Sequence, residues 1–231
     1  MSSPAPLVVM PGTGSDDDYC RRAFGPAAGA AGRRLLALSP DDDLVDGYLR
    51  RLDAAGADGP ILVGGVSIGA SIATRWALTA GPDRCAGVWA VLPPWSGPPE
   101  GSPAAASANA TADGLERDGL AATITSMTSS SPDWLAAELT RSWTALYPGL
   151  VAQLRAAATL VGPTPDEIGS LSVPLSVVVS AADPIHPAVV GEQWAAAAPR
   201  SAVRRTTLAA WGRDPALLGR LAAAGWAEAA G

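Results

Sequence analysis

Short apolar runs alternate along the chain with longer stretches whose apolar positions recur at helical spacing. The apolar runs are rich in Val, Ile and Leu and predict buried strands at 6–10, 33–39, 61–66, 87–92, 174–179 and 203–208. The periodic stretches predict helices at 42–55, 68–79, 188–198 and 215–230. Strands that alternate with helices in this way predict an α/β domain, whose mostly parallel sheet carries helices on both faces.

The pattern changes between residues 96 and 171, where no strand pattern occurs. After a start rich in Gly, Pro and Ser, helices are predicted at 104–118, 120–129 and 132–158, the last with a break at Pro148-Gly149. We expect residues 96–171 to form an all-helical lid insertion over the ends of the strands, and residues 1–95 and 172–231 to form the core. Trp134 and Trp143 belong to the buried face of this insertion or to the lining of a pocket.

Length, composition and charge then exclude several classes of protein. A chain of 231 residues with 48% hydrophobic and 16% charged residues suits one globular domain. The net charge of −6 and the lack of a basic cluster argue against nucleic acid or an anionic membrane surface as partner. All 16 basic residues are Arg and Ala is abundant, which suggests a GC-rich genome.

Neither a disulfide framework nor a metal site is indicated. Cys20 and Cys85 lie far apart, outside any C-x-x-C motif, and no cluster of His surrounds them. Residues 1–10 lack a basic segment and a long apolar segment, and no apolar run in the chain reaches the length of a membrane span. We therefore expect a cytoplasmic protein with reduced thiols and no metal.

The strongest motif is Gly65-Val66-Ser67-Ile68-Gly69, which joins a predicted strand to a predicted helix. A serine at the tip of such a turn has a strained backbone that pushes its hydroxyl outward, and the flanking glycines let strand and helix approach closely. The free N–H groups at the helix start would stabilise a negative oxygen beside Ser67. A glycine-rich turn with a purely structural role is the alternative.

A second glycine-rich loop, Pro11-Gly12-Thr13-Gly14-Ser15, directly follows the first strand. Such a loop can present backbone N–H groups to a ligand, and Ser15 with the aspartates that follow predicts a helix start. The three aspartates serve that helix better than a metal, because no further ligand lies nearby in sequence. The loop also lacks the lysine of a phosphate-binding loop.

The serine turn, the glycine loop and Asp183 after a later strand, in this arrangement, resemble the α/β-hydrolase superfamily over nearly the whole chain. The resemblance implies that Ser67 is the nucleophile, that Asp183 is the acid, and that the N–H groups of Thr13 and Ile68 form the oxyanion hole. The chain begins at the strand that carries the oxyanion loop, so the sheet should lack the first two family strands and contain about six. The strings P-G-T-G-S, G-V-S-I-G and D-P-I-H-P also resemble a small bacterial branch of hydrolases.

The histidine departs from the family pattern, because residues 208–214 carry none and His186 is the only histidine in the chain. In one interpretation His186 is a displaced base for Ser67, oriented by Asp183 or Asp214, since triads are defined by geometry and not by order. In a second, His186 caps the next helix and the pocket only binds a ligand. In a third, Ser67 works without an imidazole.

The resemblance thus predicts a hydrolase that attacks an ester, thioester or similar small-molecule acyl substrate through Ser67, with His186 as base and Asp183 as its orienting partner. The expected pocket lies between the strand ends and the lid and is lined by Gly12, Trp95, Trp134 and Trp143, which favours an apolar substrate. No cofactor is implied. A binding protein without turnover and an acyltransferase that uses the same serine remain alternatives, and the sequence does not determine the oligomeric state.

Overall fold

The computed structural model describes residues 4–231. Six parallel strands form one sheet in the order β2-β1-β3-β4-β5-β6. The strands are β1 Leu7–Met10, β2 Leu35–Ala37, β3 Ile61–Val66, β4 Cys85–Val91, β5 Leu175–Ala181 and β6 Ser201–Thr207. The helices are α1 Asp17–Ala30, α2 Leu44–Ala55, α3 Ile68–Ala80, α4 Pro103–Ser130, α5 Asp133–Leu146, α6 Leu150–Ala158, α7 Pro165–Ile168, α8 Ala188–Ala197, α9 Leu208–Arg213 and α10 Ala216–Ala230.

Both faces of the sheet are apolar, and each face is covered by its own helices. In β1, Leu7 and Val9 belong to one buried cluster, with residues of α1 and α10, while Val8 and Met10 belong to the other, with residues of α2, α3 and α8. Successive side chains of a strand point to opposite faces, so a strand buried on both sides must be apolar throughout. The predicted six-stranded parallel sheet with helices on both faces is confirmed.

Most residues between β4 and β5 are helical, and α5 binds the segment that follows β1. Gly119 adopts a φ of 78° and kinks α4 between the two helices predicted there. The Ser142 hydroxyl of α5 donates to the Gly14 carbonyl at 2.6 Å, and Arg141 binds the Asp16 carboxylate at 2.7 and 2.8 Å. The division of the chain into a core and a lid stays a prediction.

The start of α1 differs from the sequence-based expectation. Ser15 is not the cap: its N–H donates to the Gly12 carbonyl at 3.0 Å, so this residue closes the glycine loop. The cap is Asp16, whose carboxylate accepts from the N–H of Tyr19 at 3.1 Å. Two short helices, α7 and α9, were not predicted, although Thr164 and Glu167 form a capping box at the start of α7.

Among the helices of residues 4–231, none combines the length and the hydrophobicity that a bilayer span requires.

Candidate active site

Ser67 lies at the sharp turn between β3 and α3, at the carboxyl edge of the sheet. Its φ of 55° and ψ of −118° fall where residues with a side chain are rarely found. Such a conformation costs on the order of 1–3 kcal/mol and persists only where the surroundings enforce it. The backbone N–H of Ser67 donates to the Val91 carbonyl of β4 at 2.9 Å, which helps to hold the turn in place.

Two glycines make this turn sterically possible. A Cβ on Gly65 would lie 2.6 Å from the carbonyl carbon of Gly69, and a Cβ on Gly69 would lie 2.5 Å from the Met10 carbonyl oxygen. Both positions therefore require glycine because of backbone packing, with α3 pressed against the ends of β3 and β1.

The glycine loop after β1 lies directly beside Ser67. A Cβ on Gly12 would be 3.3 Å from the Cβ of Ser67. Within residues 4–231, neither the N–H of Thr13 nor that of Ile68 donates a hydrogen bond to another protein group. Ile68 is also the first residue of α3, where the helix dipole favours negative charge. Two free backbone donors thus belong to segments that flank the serine.

Asp183 and His186 form a hydrogen-bonded pair in the loop after β5. The His186 ring nitrogen Nδ1 lies 3.1 Å from Oδ2 of Asp183, and Oδ1 accepts from the N–H groups of Ile185 and His186 at 2.9 and 3.1 Å. Ala182, with a φ of 57°, turns the chain just before this pair.

The Asp183 carboxyl is almost fully buried, with its side chain 3% exposed. Burial works to raise the pKa of Asp183, but the hydrogen bond from His186, its charge and the backbone N–H groups outweigh burial and hold that pKa below the usual range. An ionised Asp183 accepts the proton of Nδ1, which assigns Nε2 of His186 as the basic nitrogen. Asp214 does not contact His186, because its carboxylate binds Arg220 at 2.5 Å and accepts a hydrogen bond from the N–H of Ala216.

A cavity of about 640 Å³ joins these elements. Of the residues predicted for the site, all but Ile68 and Asp214 line it: Gly12, Thr13, Ser67, Trp95, Trp134, Trp143, Asp183 and His186. The hydroxyl of Ser67 makes no hydrogen bond to His186 or to any other group of the described chain. The structure therefore gathers the predicted residues around one cavity but does not join the serine to the histidine.

Comparison with known proteins gives a fold. No model of a protein family and no curated protein sequence matches the chain. Among solved structures, BpoC of Mycobacterium tuberculosis, described as a non-heme bromoperoxidase, superposes with a TM-score of 0.69 at 18% identity over 99% of this chain and 94% of that one. The fold is that of the α/β-hydrolases.

Two further solved structures with the α/β-hydrolase fold are named for ester chemistry. A thermophilic esterase from Thermogutta terrifontis has a TM-score of 0.64 at 18% identity, with 90% of this chain and 82% of that chain covered. The enol-lactonase from Burkholderia xenovorans LB400 has a TM-score of 0.66 at 16% identity, with 88% and 83% covered.

Trp211 enters the cavity from the segment that follows the last strand. Trp211 of α9 lines the cavity, its indole N–H donates to the Ser180 hydroxyl at 3.3 Å, and its ring meets Trp134 edge-on with centroids 4.7 Å apart. Sequence reasoning missed Trp211, and also Tyr19 and Ser15, as lining residues. No local pattern marks them, because their position at the cavity depends on how α1, α5 and α9 pack.

Proposed function

We propose that the protein is a serine hydrolase that acts on an ester, a thioester or a similar small-molecule acyl compound, with Ser67 as nucleophile. The observation that carries this proposal is the strained backbone of Ser67 at a cavity that the Asp183–His186 pair also lines. Packing alone does not explain a turn that costs on the order of 1–3 kcal/mol, whereas a catalytic role for Ser67 does.

In the proposed reaction, Nε2 of His186 takes the hydroxyl proton while Oγ of Ser67 attacks the carbonyl carbon of the substrate. The electron pair of the C=O bond moves to its oxygen, which the N–H groups of Thr13 and Ile68 stabilise. The tetrahedral intermediate collapses, the bond to the leaving group breaks, and His186 returns the proton to that group. Water then attacks the acyl group on Ser67 by the same steps, with His186 as base, which releases the carboxylic acid and restores the Ser67 hydroxyl.

Asp183 holds His186 in the tautomer that the proposed reaction needs. Its hydrogen bond to Nδ1 leaves Nε2 unprotonated, and its charge stabilises the imidazolium that forms when Nε2 accepts the proton. The base thus comes from the same loop as the acid, and not from the end of β6.

The proposal requires Nε2 of His186 to come within about 3 Å of Oγ of Ser67 when substrate is bound. Catalytic hydrogen bonds are often long or misaligned without substrate and shorten in the reacting complex. The pair sits in a loop, between the end of β5 and the start of α8, where a small shift of the ring does not disturb the sheet.

The walls of the cavity favour an apolar substrate. Trp95, Trp134, Trp143 and Trp211 contribute four aromatic side chains to its lining. Such surfaces recognise a ligand mainly by shape and apolar contact, while a few polar groups fix its orientation. The structural neighbours named as esterase and enol-lactonase agree with ester chemistry in a cavity of this kind.

Labelling with a fluorophosphonate, read by intact mass, tests the proposal. We expect one adduct on the wild-type protein and none on Ser67→Ala, and a rate at least about 10³-fold lower for His186→Ala. Ser71→Ala is the matched control: this serine is fully buried in α3, its hydroxyl makes no hydrogen bond, and it does not line the cavity, so labelling should be unchanged.

An unlabelled wild-type protein that also hydrolyses no ester would refute the proposal and favour a pocket that binds ligand without turnover. An adduct of normal rate on His186→Ala would refute the role of the histidine alone. Where labelling succeeds, product analysis with water or an added alcohol as acceptor separates hydrolysis from acyl transfer.

A further inference from the structure

Residues 120–130, the second half of α4, form part of the wall of the cavity but are hardly buried. From this half and the residue after it, the cavity is lined by Ala122, Thr123, Ser126, Met127, Ser130 and Ser131. Only Thr123 is buried among residues 120–130, whereas the first half of the helix, 103–118, buries five residues. Ala122, Ser126 and Ser130 are exposed as well as lining, so this half lies between the cavity and solvent.

Hydrogen bonds do not tie this half of the helix to its surroundings. Apart from bonds within α4, no hydrogen bond or ion pair joins residues 120–131 to the chain that the structure describes. The hydroxyl of Thr123 donates to the Gly119 carbonyl at 2.8 Å, and that of Thr125 to the Ala121 carbonyl at 2.9 Å. Ion pairs are impossible here, because residues 120–131 include no charged side chain.

The helices on either side are anchored. Arg155 of α6 binds the first half of α4 through the Asn109 side chain at 3.2 Å and Glu116 at 2.6 Å. At the start of α5 the Trp134 ring packs on Gly212, where a Cβ would lie 2.3 Å from the ring. The later turns of α5 are bound to the segment after β1 by the hydrogen bonds given above. Residues 120–130 thus lie between two anchored helices.

A non-helical residue stands at each end of this half. Gly119 has a φ of 78° and a ψ of 173°, a backbone conformation that is essentially open to glycine alone. Ser131 is extended, with a φ of −109° and a ψ of 151°, and Pro132 follows before α5. Hinges are a few such positions, which absorb the change in φ and ψ when an element moves. A helix between two of them can rotate without losing its own hydrogen bonds.

Apolar contacts hold residues 120–130 in place. Leu120, Ile124 and Met127 are half-buried against the main core cluster, and their spacing puts them on one face of the helix. Thr123 packs on the first half of α4, where a Cβ on Gly114 would lie 3.3 Å from both its Cγ2 and its Oγ1. Apolar contact is non-directional, and its separation breaks no hydrogen bond. Opening here should therefore cost much less than unfolding of the domain.

The reacting groups are reached through the cavity. Ser67 is 9% exposed and the Asp183 side chain 3% exposed, so a ligand has no direct path to them from solvent. A ligand that fills a cavity of about 640 Å³ needs an entrance of matching width. The part of the wall that can yield most readily is the part without hydrogen bonds to its neighbours.

We propose that residues 120–130 form a flap, hinged at Gly119 and Ser131, which swings away from the anchored helices to admit a ligand and then closes over it. Closure excludes bulk water from the bound ligand. The flap goes beyond the proposed function, because a pocket that binds ligand without turnover needs the same entrance.

Reaction of Thr123→Cys with a maleimide on a polymer too large for the cavity tests whether the flap opens. In the closed state position 123 is shielded by Gly114, so the thiol is reached only when the flap swings out. Cys20 and Cys85, which are 0% and 1% exposed, are controls in the same molecule for global unfolding. We expect the introduced thiol to react at least about 100-fold faster than these two. A thiol that reacts only as slowly as Cys20 and Cys85 would overturn the flap.

Gly119→Ala, added to Thr123→Cys, tests the hinge. Alanine strains the backbone conformation that Gly119 has in the closed state, so the open state should gain and the maleimide reaction should become about tenfold faster. Gly101→Ala is the matched control: Gly101 also has a φ of 78° and no atom within 4 Å of its Cβ position, but it precedes α4. Its replacement should leave the rate unchanged. Equal rates in the two variants would show that Gly119 is not the hinge.

A disulfide between Gly114→Cys and Thr123→Cys tests whether opening admits a ligand. The Cβ position of Gly114 lies 3.9 Å from the Cβ of Thr123, within the range of about 3.5–4.5 Å found in disulfides. With the disulfide formed, a fluorophosphonate that carries a rhodamine should label Ser67 at least about tenfold more slowly than in the same protein after reduction. Equal rates in the oxidised and reduced protein would overturn the role of the flap as entrance.

The wild-type protein is the control for the oxidant, because Cys20 and Cys85 are buried and should leave its labelling rate unchanged. A protein that is labelled in neither state fails the hydrolase proposal alone. The maleimide rates need no reaction at Ser67, so they still decide whether the flap exists.

Discussion

Replacement of Gly69 by Ala tests whether the serine turn is held by backbone packing. Gly69 is the second residue of α3, and its Cβ would lie 2.5 Å from the Met10 carbonyl oxygen and 2.8 Å from that of Pro11. Real Cβ atoms do not approach oxygen so closely, and both oxygens belong to backbone that cannot rotate away. The variant must therefore push α3 away from the end of β1.

The magnitude follows from the cost of overpacking. Inserting a methyl group into a closely packed site costs about 1–3 kcal/mol and more where the neighbours are rigid, so we expect the free energy of unfolding to fall by about 3 kcal/mol. For a chain of this length each kcal/mol lowers Tm by about 2–4 °C, which gives a fall of roughly 6–12 °C.

Gly29→Ala is the matched control, because Gly29 is also a helical glycine but has no atom within 4 Å of its Cβ position. Alanine favours helix over glycine by about 1 kcal/mol, so this variant should gain roughly 2–4 °C. Thermal unfolding followed by circular dichroism measures both changes. Displacement of the β1 end also moves Gly12 and Thr13 from Ser67, so Gly69→Ala should react more slowly with fluorophosphonate. A Gly69→Ala protein as stable as Gly29→Ala would refute the packing described for the turn.

Two further substitutions probe the anchor of α5 and the acid of the site. Burial would raise the pKa of Asp16, but the hydrogen bonds from Arg141 and the charge of that residue lower it. The ion pair therefore stabilises the folded protein at pH values above the unfolded-state pKa of Asp16, and this stabilisation is lost as the pH falls through the folded-state pKa. Arg141→Met should therefore lower the free energy of urea unfolding by about 1–2 kcal/mol at neutral pH and by less below about pH 4; equal losses at both pH values would contradict this role. Asp183→Asn should slow fluorophosphonate labelling by about 10³–10⁴-fold, whereas Asp214→Asn, whose carboxylate binds Arg220 at the surface, should leave the rate within about twofold; equal rates for the two variants would exclude Asp183 as the partner of the base.

Much of the fold follows from the sequence because strand and helix periodicities are local. Residues in β3 alternate between two buried faces, and a run such as 61–66 can satisfy both only if it is apolar throughout. The motif at 65–69 likewise specifies its turn through the steric freedom of glycine, which needs no distant partner to be recognised. Strand β2 is shorter than predicted, at Leu35–Ala37, and pairs with β1 alone.

The content of the site was decided by the tertiary structure. The sequence supplied Ser67, Asp183 and His186 as candidates, but the hydrogen bond that pairs the last two depends on the path of the loop after β5. The exclusion of Asp214 depends on its ion pair with Arg220. Trp211 reaches the cavity only because α9 begins directly at the end of β6.

The same distinction applies to the lining of the cavity. Ser15, Tyr19 and Trp143 lie on segments up to 128 residues apart, as the contact between Ser142 and Gly14 shows. Periodicity can say that such side chains are buried, because burial follows from the face of one helix. Which side chains line the cavity depends on the simultaneous packing of α1, α5 and the glycine loop, and only the folded chain brings these together.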